Sequence, residues 1–267
     1  MANYSIEDLY RDIYKIDRYF YEKTDGSEFT DGAIRNYCPY NNITKSKICL
    51  SYLQTASSGV INLLENLEKY NLEYEKLAEY AILFLSYKLK QHSKHKSTNL
   101  NTFYTKNIEN NTFYDEKIKG NGSPTYKEII DKKKDLMNMN NNEISKFNVL
   151  FCILFSLYNE IKNNKLDCTK HSSYPENFAN KFEELNNDSN INGNTSYSKL
   201  LSTLSDDYNH LKNNYGNNNS CNFPPLPKVK MPQSKLIPAL STFSVIPVFL
   251  GIAYKVNNKE LKTITFL

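Results

Sequence analysis

Apolar residues recur at helical spacing along most of the first 216 positions of the chain. Ile6, Leu9, Tyr10 and Ile13, continuing to Tyr14 and Tyr21, predict an amphipathic first helix. A loop containing Asp25-Gly26-Ser27 and Cys38-Pro39 follows. Ile48, Tyr52, Leu53, Val60, Ile61, Leu64 and Leu67 then form a second stripe, and Leu77, Tyr80, Ala81, Phe84, Leu85 and Leu89 a third. Gly120-Asn121-Gly122 punctuates the middle of the chain, with Ser123 placed as an N-cap and Pro124 at the first position of a helix running through Ile129, Lys133 and Met137. The strongest periodic segment, from Ile144 to Ile161, is apolar on more than one face and predicts the central core helix. Shorter stripes come from Phe178, Phe182 and Leu185, and from Tyr197, Leu200, Leu201, Leu204, Tyr208 and Leu211, separated by the Asn-rich loop 186–194. No segment alternates as a strand should, so the expectation for residues 1–216 is an all-α, multi-helix globular domain.

The pattern changes after that domain. Residues 217–235 turn to Asn, Ser and four of the nine prolines, which predicts an extended stalk. Residues 236–254 are uncharged between Lys235 and Lys255 and close to the ~20 residues that cross a bilayer, so they read as one transmembrane helix despite Pro238 and Pro247. A buried C-terminal core helix is the competing reading. Residues 255–267 are left as a short tail. Lysines flank both ends of the span almost equally, so charge does not orient it. The first twenty residues interleave acids and bases and show no cleavable signal.

Composition narrows the chemistry. The 33 Lys+Arg against 29 Asp+Glu leave +4 spread thinly over 267 residues, which does not suggest nucleic acid as a partner. Of the bases, 30 are lysine, a bias expected of A/T-rich coding DNA. Only 8 Gly and 4 His, with no phosphate-binding or metal-hydrolase motif, leave no catalytic, cofactor-binding or metal site to name. Five cysteines all precede the span. Cys152 sits in the apolar run 149–155 and reads as a buried free thiol, leaving Cys38, Cys49, Cys168 and Cys221 for two disulfides with three pairings open.

Other features have plain readings. His92 and His95 lie among Lys88, Lys90, Lys94 and Lys96 and read as a solvated helix end. Cys168 and His171 have metal-like spacing but no second ligand pair, so a half-cystine beside an exposed histidine fits better. Glu183-Glu184 and Asp206-Asp207 point in different directions on a helix and read as surface charge. Sequons at Asn42, Asn110, Asn187, Asn194 and Asn218 arise by chance in so Asn-rich a chain. Among the 21 tyrosines, exposed ones would suit a recognition surface. Phe151 and Phe155 read as packing rather than as the lining of a small-ligand pocket.

Several blocks in fixed order resemble one family. They run through Tyr19-Phe20-Tyr21-Glu22-Lys23, Asn36-Tyr37-Cys38-Pro39-Tyr40, residues 77–89 (LAEYAILFLSYKL), Asn101-Thr102-Phe103-Tyr104, Ile144-Ser145-Lys146-Phe147, residues 200–208 (LLSTLSDDY) and the span itself. The chain resembles the Plasmodium interspersed repeat (PIR) proteins of rodent malaria parasites over about its whole length. The resemblance implies a helical outer domain, one membrane helix, export without an obvious signal and no enzymatic activity. Two departures concern cysteine: Tyr14 stands near a position where the family often has a cysteine, and Cys152 near a serine-like one, so the family's disulfide pattern does not transfer directly. After Lys255 the chain departs from the family's longer basic tail, and the ending Val256 to Leu267 reads as intron read-through, which transcript sequencing tests.

The functional expectation is a variant surface or exported membrane protein engaged in antigenic variation, immune evasion and host-cell binding, with the loops 107–121 and 186–196 facing host molecules. Its partner would be a host-cell surface protein or a parasite protein, and its membrane contact residues 236–254. The alternative is a membrane-anchored protein inside the parasite or its vacuole, acting in trafficking or host-cell remodelling.

Overall fold

The structure, a computed structural model, describes residues 5–162, 165–216 and 221–232 of the 267. The chain divides into two units, residues 1–231 and 232–267, and all of the second except Pro232 lies outside the described residues. The expected span 236–254 and tail 255–267 therefore fall outside them too. Among the described residues, no helix is long and apolar enough to cross a membrane.

Helix α1 (Ile6–Asp17) begins where Ser5 Oγ accepts the Asp8 amide, with Glu7 and Asp8 facing the positive end of the helix dipole. It buries Ile6, Leu9, Tyr10, Ile13 and Ile16. Tyr14 and Tyr21, expected on that stripe, are 39% and 41% exposed. Tyr14 sits at the edge of the buried face, its ring 5.8 Å from that of Phe155, while Tyr21 belongs to a strand, where it faces opposite to buried Phe20.

Three small antiparallel hairpins depart from the strand-free expectation. They pair β1 (Phe20–Glu22) with β2 (Glu28–Thr30), β3 (Tyr40–Asn41) with β4 (Ser46–Lys47), and β5 (Ile161–Lys162) with β6 (Lys165–Leu166). Strands of two or three residues are too short to print a period-2 signature. A one-turn helix, α2 (Gly32–Arg35), joins the first two hairpins.

Two long helices then form the heart of the domain. Helix α3 (Tyr52–Glu68) is capped by Ser51 and buries small residues from Thr55 to Gly59. Helix α4 (Tyr74–Gln91) is buried at every position from Leu77 to Leu89. It is thus α4 that is enclosed on all sides, whereas the helix expected at the centre, α8 (Asn141–Asn159), leaves Val149 44% exposed. Helix α8 packs against α1, α4 and two later helices, and its capping box joins Asn140 to Glu143.

Shorter pieces close the middle: α5 (Leu100–Asn107), a 3-10 turn (Thr112–Asp115), α6 (Tyr126–Asp131) and α7 (Lys134–Met137). The cap of α6 is Thr125, in a capping box with Glu128, rather than Ser123. Ser123 Oγ is used within its own loop, accepting from the Lys119 amide and donating to the Gly120 carbonyl. Helices α9 (Tyr174–Asn187), α10 (Ser189–Asn192) and α11 (Thr195–Tyr215) complete the body, α10 lying inside the loop expected to be Asn-rich coil.

Residues 221–231 carry no helix or strand but lie against the body. Cys221 and Phe223 are buried, the Tyr208 hydroxyl donates to the Pro224 carbonyl at 2.9 Å, and the Asn186 side chain bonds both the Lys228 carbonyl and the Lys230 amide. Buried Cys221 and Phe223 and paired backbone groups hold residues 221–231 as a strap on the helices.

Candidate recognition surface

The four cysteines pair as Cys38–Cys49 and Cys168–Cys221, with Cα separations of 4.9 and 5.2 Å. The first bond closes the base of the β3–β4 hairpin. Within it, Asn41 Oδ1 accepts the amides of Ile43 and Thr44 at 2.8 and 3.2 Å, an Asx turn, and Lys45 takes a left-handed φ of 51°. Ser58 on α3 donates to the Tyr37 carbonyl at 3.1 Å and meets Cys49 Sγ at 3.3 Å, fixing the staple to the body.

This braced loop presents apolar side chains to water. Ile43 at its tip is 93% exposed, Leu50 73% and Tyr40 58%. Only seven large hydrophobic residues are exposed among the described ones, and three of them fall within residues 40–50, Leu50 directly after the disulfide. Exposed apolar residues scattered singly need no explanation, but a cluster on one rigid loop marks a contact site.

Beside the hairpin lies a cleft of about 460 Å³ lined by Tyr37, Tyr40, Gln54, Lys106, Asn110 and Phe113 among others. Its far wall is the end of α5 and the turn that follows. Ser57 Oγ donates to the Asn107 carbonyl at 2.7 Å, and the Tyr114 hydroxyl donates to the Ser57 carbonyl at 2.8 Å, so this wall is tied to α3. The first part of the loop expected to face host molecules, residues 107–113 of 107–121, therefore shares a face with the stapled hairpin.

A second concavity of about 790 Å³ runs between α8, α9 and the end of α4, where Tyr87, Val149, Cys152, Tyr174 and Lys181 line it. Cys152 is free and partly exposed rather than buried, because its side of α8 looks into this groove. Burial still pushes its thiol up to about 11, so it is protonated and sluggish as a nucleophile at neutral pH. Asn148 Nδ2 donates to Ser86 Oγ at 2.7 Å, and Asn148 Oδ1 has no partner among the described residues. Phe151 is fully buried against Tyr10, Tyr87 and Phe155, a packing role.

Two sites read as surface charge prove to be internal. His92 is 2% exposed: the β1–β2 hairpin folds over it, its Nε2 lies 3.2 Å from Glu28, and its Nδ1 accepts the Lys94 amide. Asp207 is also 2% exposed, and accepts from the hydroxyls of Tyr10 and Tyr80. Its neighbour Asp206 is exposed, as are Glu183 and Glu184. His171 is partly exposed, 3.6 Å from Glu160, with its ring tilted against that of Tyr174 at 4.4 Å. Among the sequons, Asn42 and Asn110 are exposed on the hairpin–cleft face, Asn194 is occupied in capping α11, and Asn218 lies outside the described residues. Among the described residues, no group of three or more His, Cys, Asp or Glu could hold a metal ion.

No curated protein matches the sequence. A solved structure titled "Structure of a Plasmodium PIR protein ectodomain" is similar at 33% identity and a TM-score of 0.61, the match covering 84% of this chain and all of that one. The family described as "Plasmodium variant antigen protein Cir/Yir/Bir" matches residues 10–255. With a family match over most of its length and a related ectodomain of the same fold, this chain belongs to the Plasmodium Cir/Yir/Bir variant antigens, the PIR family.

Proposed function

We propose that the protein is a membrane-anchored surface antigen that binds host-cell molecules without chemistry, serving antigenic variation and immune evasion, with residues 236–254 as its single membrane helix. The observation that carries this reading is the Cys38–Cys49 hairpin. A disulfide persists in an oxidising compartment, which favours a domain that has left the cytosol. A braced loop holding Ile43, Leu50 and Tyr40 in solvent has use for those side chains only if something covers them. The groove beside Cys152 supports a catalytic reading less well, since its thiol is held in the protonated form.

The test is accessibility of residues 1–231 to protease and antibody on intact infected cells, compared with permeabilised ones. Digestion of intact cells is the expected outcome. Protection until permeabilisation would overturn the surface reading at that stage and leave the parasite or vacuolar membrane as the site of action.

A further inference from the structure

We infer that the Cys38–Cys49 hairpin docks onto an acidic protein surface, with Ile43 as the apolar anchor and Arg35, Lys45, Lys47 and Lys106 as a positive rim. The inference rests on the binding reading above and names the kind of partner it requires.

Charge is the first argument. Between Asp31 and Glu65 the chain has no acidic residue, although acids make up 29 of 267 positions overall. The same interval supplies Arg35, Lys45 and Lys47, and Lys106 faces it across the cleft. Several lysines elsewhere on the body are paired with an acid, as in Lys119–Glu68, Lys127–Asp131 and Lys146–Asp188. Lys45, Lys47 and Lys106 form no ion pair among the described residues. Of the acids around this face, Glu65 is occupied by the hydroxyls of Tyr37 and Tyr126, Glu28 faces His92 Nε2 at 3.2 Å, and Glu109 lies 3.8 Å from Lys134. The positive field of this face is therefore left for an incoming negative surface, which it would steer toward contact.

Shape is the second. The hairpin is convex, with its most exposed apolar residue at the apex, and the cleft beside it is concave and lined by amides and aromatic rings. Lys47 is held in place, its Nζ donating to the Asn36 carbonyl at 2.7 Å and lying 5.5 Å from the centre of the Phe113 ring. The disulfide, the Asx turn and this tether fix the loop before contact, so little conformational entropy remains to be lost on binding. A knob, a cleft and fixed charges match a partner with relief of its own. A fluid lipid surface would need neither the cleft nor the fixed geometry.

The test uses the full-length chain, fused at its C-terminus to a fluorescent protein and carried in phosphatidylcholine nanodiscs. It is added to intact host blood cells at 50 and 300 mM NaCl, with poly-L-glutamate as competitor, and to phosphatidylserine-containing vesicles. Ile43→Asp and the double change Lys45→Glu/Lys106→Glu alter exposed side chains, and an unchanged melting temperature confirms the fold. The expected result is cell binding that weakens about tenfold or more in each variant, that falls with salt in the parent but not in the charge-reversed chain, and that poly-L-glutamate suppresses. Parent-like binding by both variants would overturn the inference and leave the binding reading standing. Equal, variant-sensitive binding to the vesicles would replace the protein partner with an anionic membrane. Absence of cell binding by the parent would remove both the inference and the reading on which it rests.

Discussion

Tyr80 and Asp207, 127 positions apart in sequence, meet in the core, where the Tyr80 hydroxyl lies 3.0 and 2.8 Å from the two carboxylate oxygens. The Tyr10 hydroxyl adds a bond of 2.9 Å, so one carboxylate joins α1, α4 and α11. Burial raises the acid to about 6, against the pull of Lys76 and the two tyrosine donors, while Asp206 adds to the rise.

A folded-state value above the unfolded one means that the folded chain holds this proton more tightly. The contribution to stability is full below about pH 4 and is lost as pH rises through about 6, a term of about 3 kcal/mol. Asp207→Asn keeps an acceptor for one tyrosine and removes the titration. Relative to the parent, the variant should therefore gain about 3 kcal/mol between pH 4 and pH 7 in urea denaturation. A parent–variant difference that stays constant across that range would show that the buried acid is not strained.

Asp207 also shows what sequence pattern conveys and what it hides. Leu200, Leu204 and Leu211 announced the buried stripe of α11, and Asp207, three residues after Leu204 and four before Leu211, lies on that same stripe. Lys133 sits likewise between Ile129 and Met137, and His92 three residues after Leu89. The apolar period located the helices because burial selects it. His92 and Asp207, polar residues inside such stripes, read as surface because their partners come from distant elements. For the hairpin face, Cys38 and Cys49 were visible as candidates, but the exposure of Ile43 depends on a turn that no periodicity reports.

Gly59 is a packing requirement. A Cβ at this position of α3 would lie 2.4 Å from Cε1 and 2.6 Å from Cζ of Phe20, which is fully buried where β1 crosses the helix. Gly59→Ala adds about 1 kcal/mol of helix propensity but forces this ring to move, an overpacking cost of about 1–3 kcal/mol. Net destabilisation in thermal melts is the expected outcome. Combining Gly59→Ala with Phe20→Leu should recover part of the loss, whereas simple addition of the two costs would show that the ring is not the obstacle.

Lys133 and Glu79 form a buried ion pair at 2.7 Å, with side chains 2% and 4% exposed, and the Thr203 hydroxyl donates to the other Glu79 oxygen at 2.7 Å. Glu75, half exposed at 3.4 Å from Lys133, would be the ammonium's remaining partner if Glu79 were removed. Glu79→Leu should cost about 3 kcal/mol or more, since a buried charge then loses its main counter-ion. Lys133→Met, Glu79→Leu and Thr203→Val together should come within about 1 kcal/mol of the parent, because no buried polar group is then left without a partner. Equal losses in the single and triple variants, measured by chemical denaturation, would mean that shape rather than charge sets the site.

Cys168 and Cys221 are 53 residues apart, and their bond fastens the strap to the body at Leu166, whose carbonyl lies 3.7 Å from Cys221 Sγ. Opening a loop of that length returns about 4 kcal/mol of chain entropy to the unfolded state. Cys168→Ser with Cys221→Ser should lower stability by up to that amount. The Cys38–Cys49 bond, 11 residues apart, should cost about 3 kcal/mol when removed. The two losses differ in place as well as size. Without its disulfide the strap is held only through Phe223, Asn186 and Tyr208, so limited proteolysis should cut first within residues 221–231, at protease levels that leave α3 and α4 intact. Cleavage that begins instead within α3 or α4 would show that the strap is bound mainly by its apolar contacts and that the disulfide stabilises the domain as a whole.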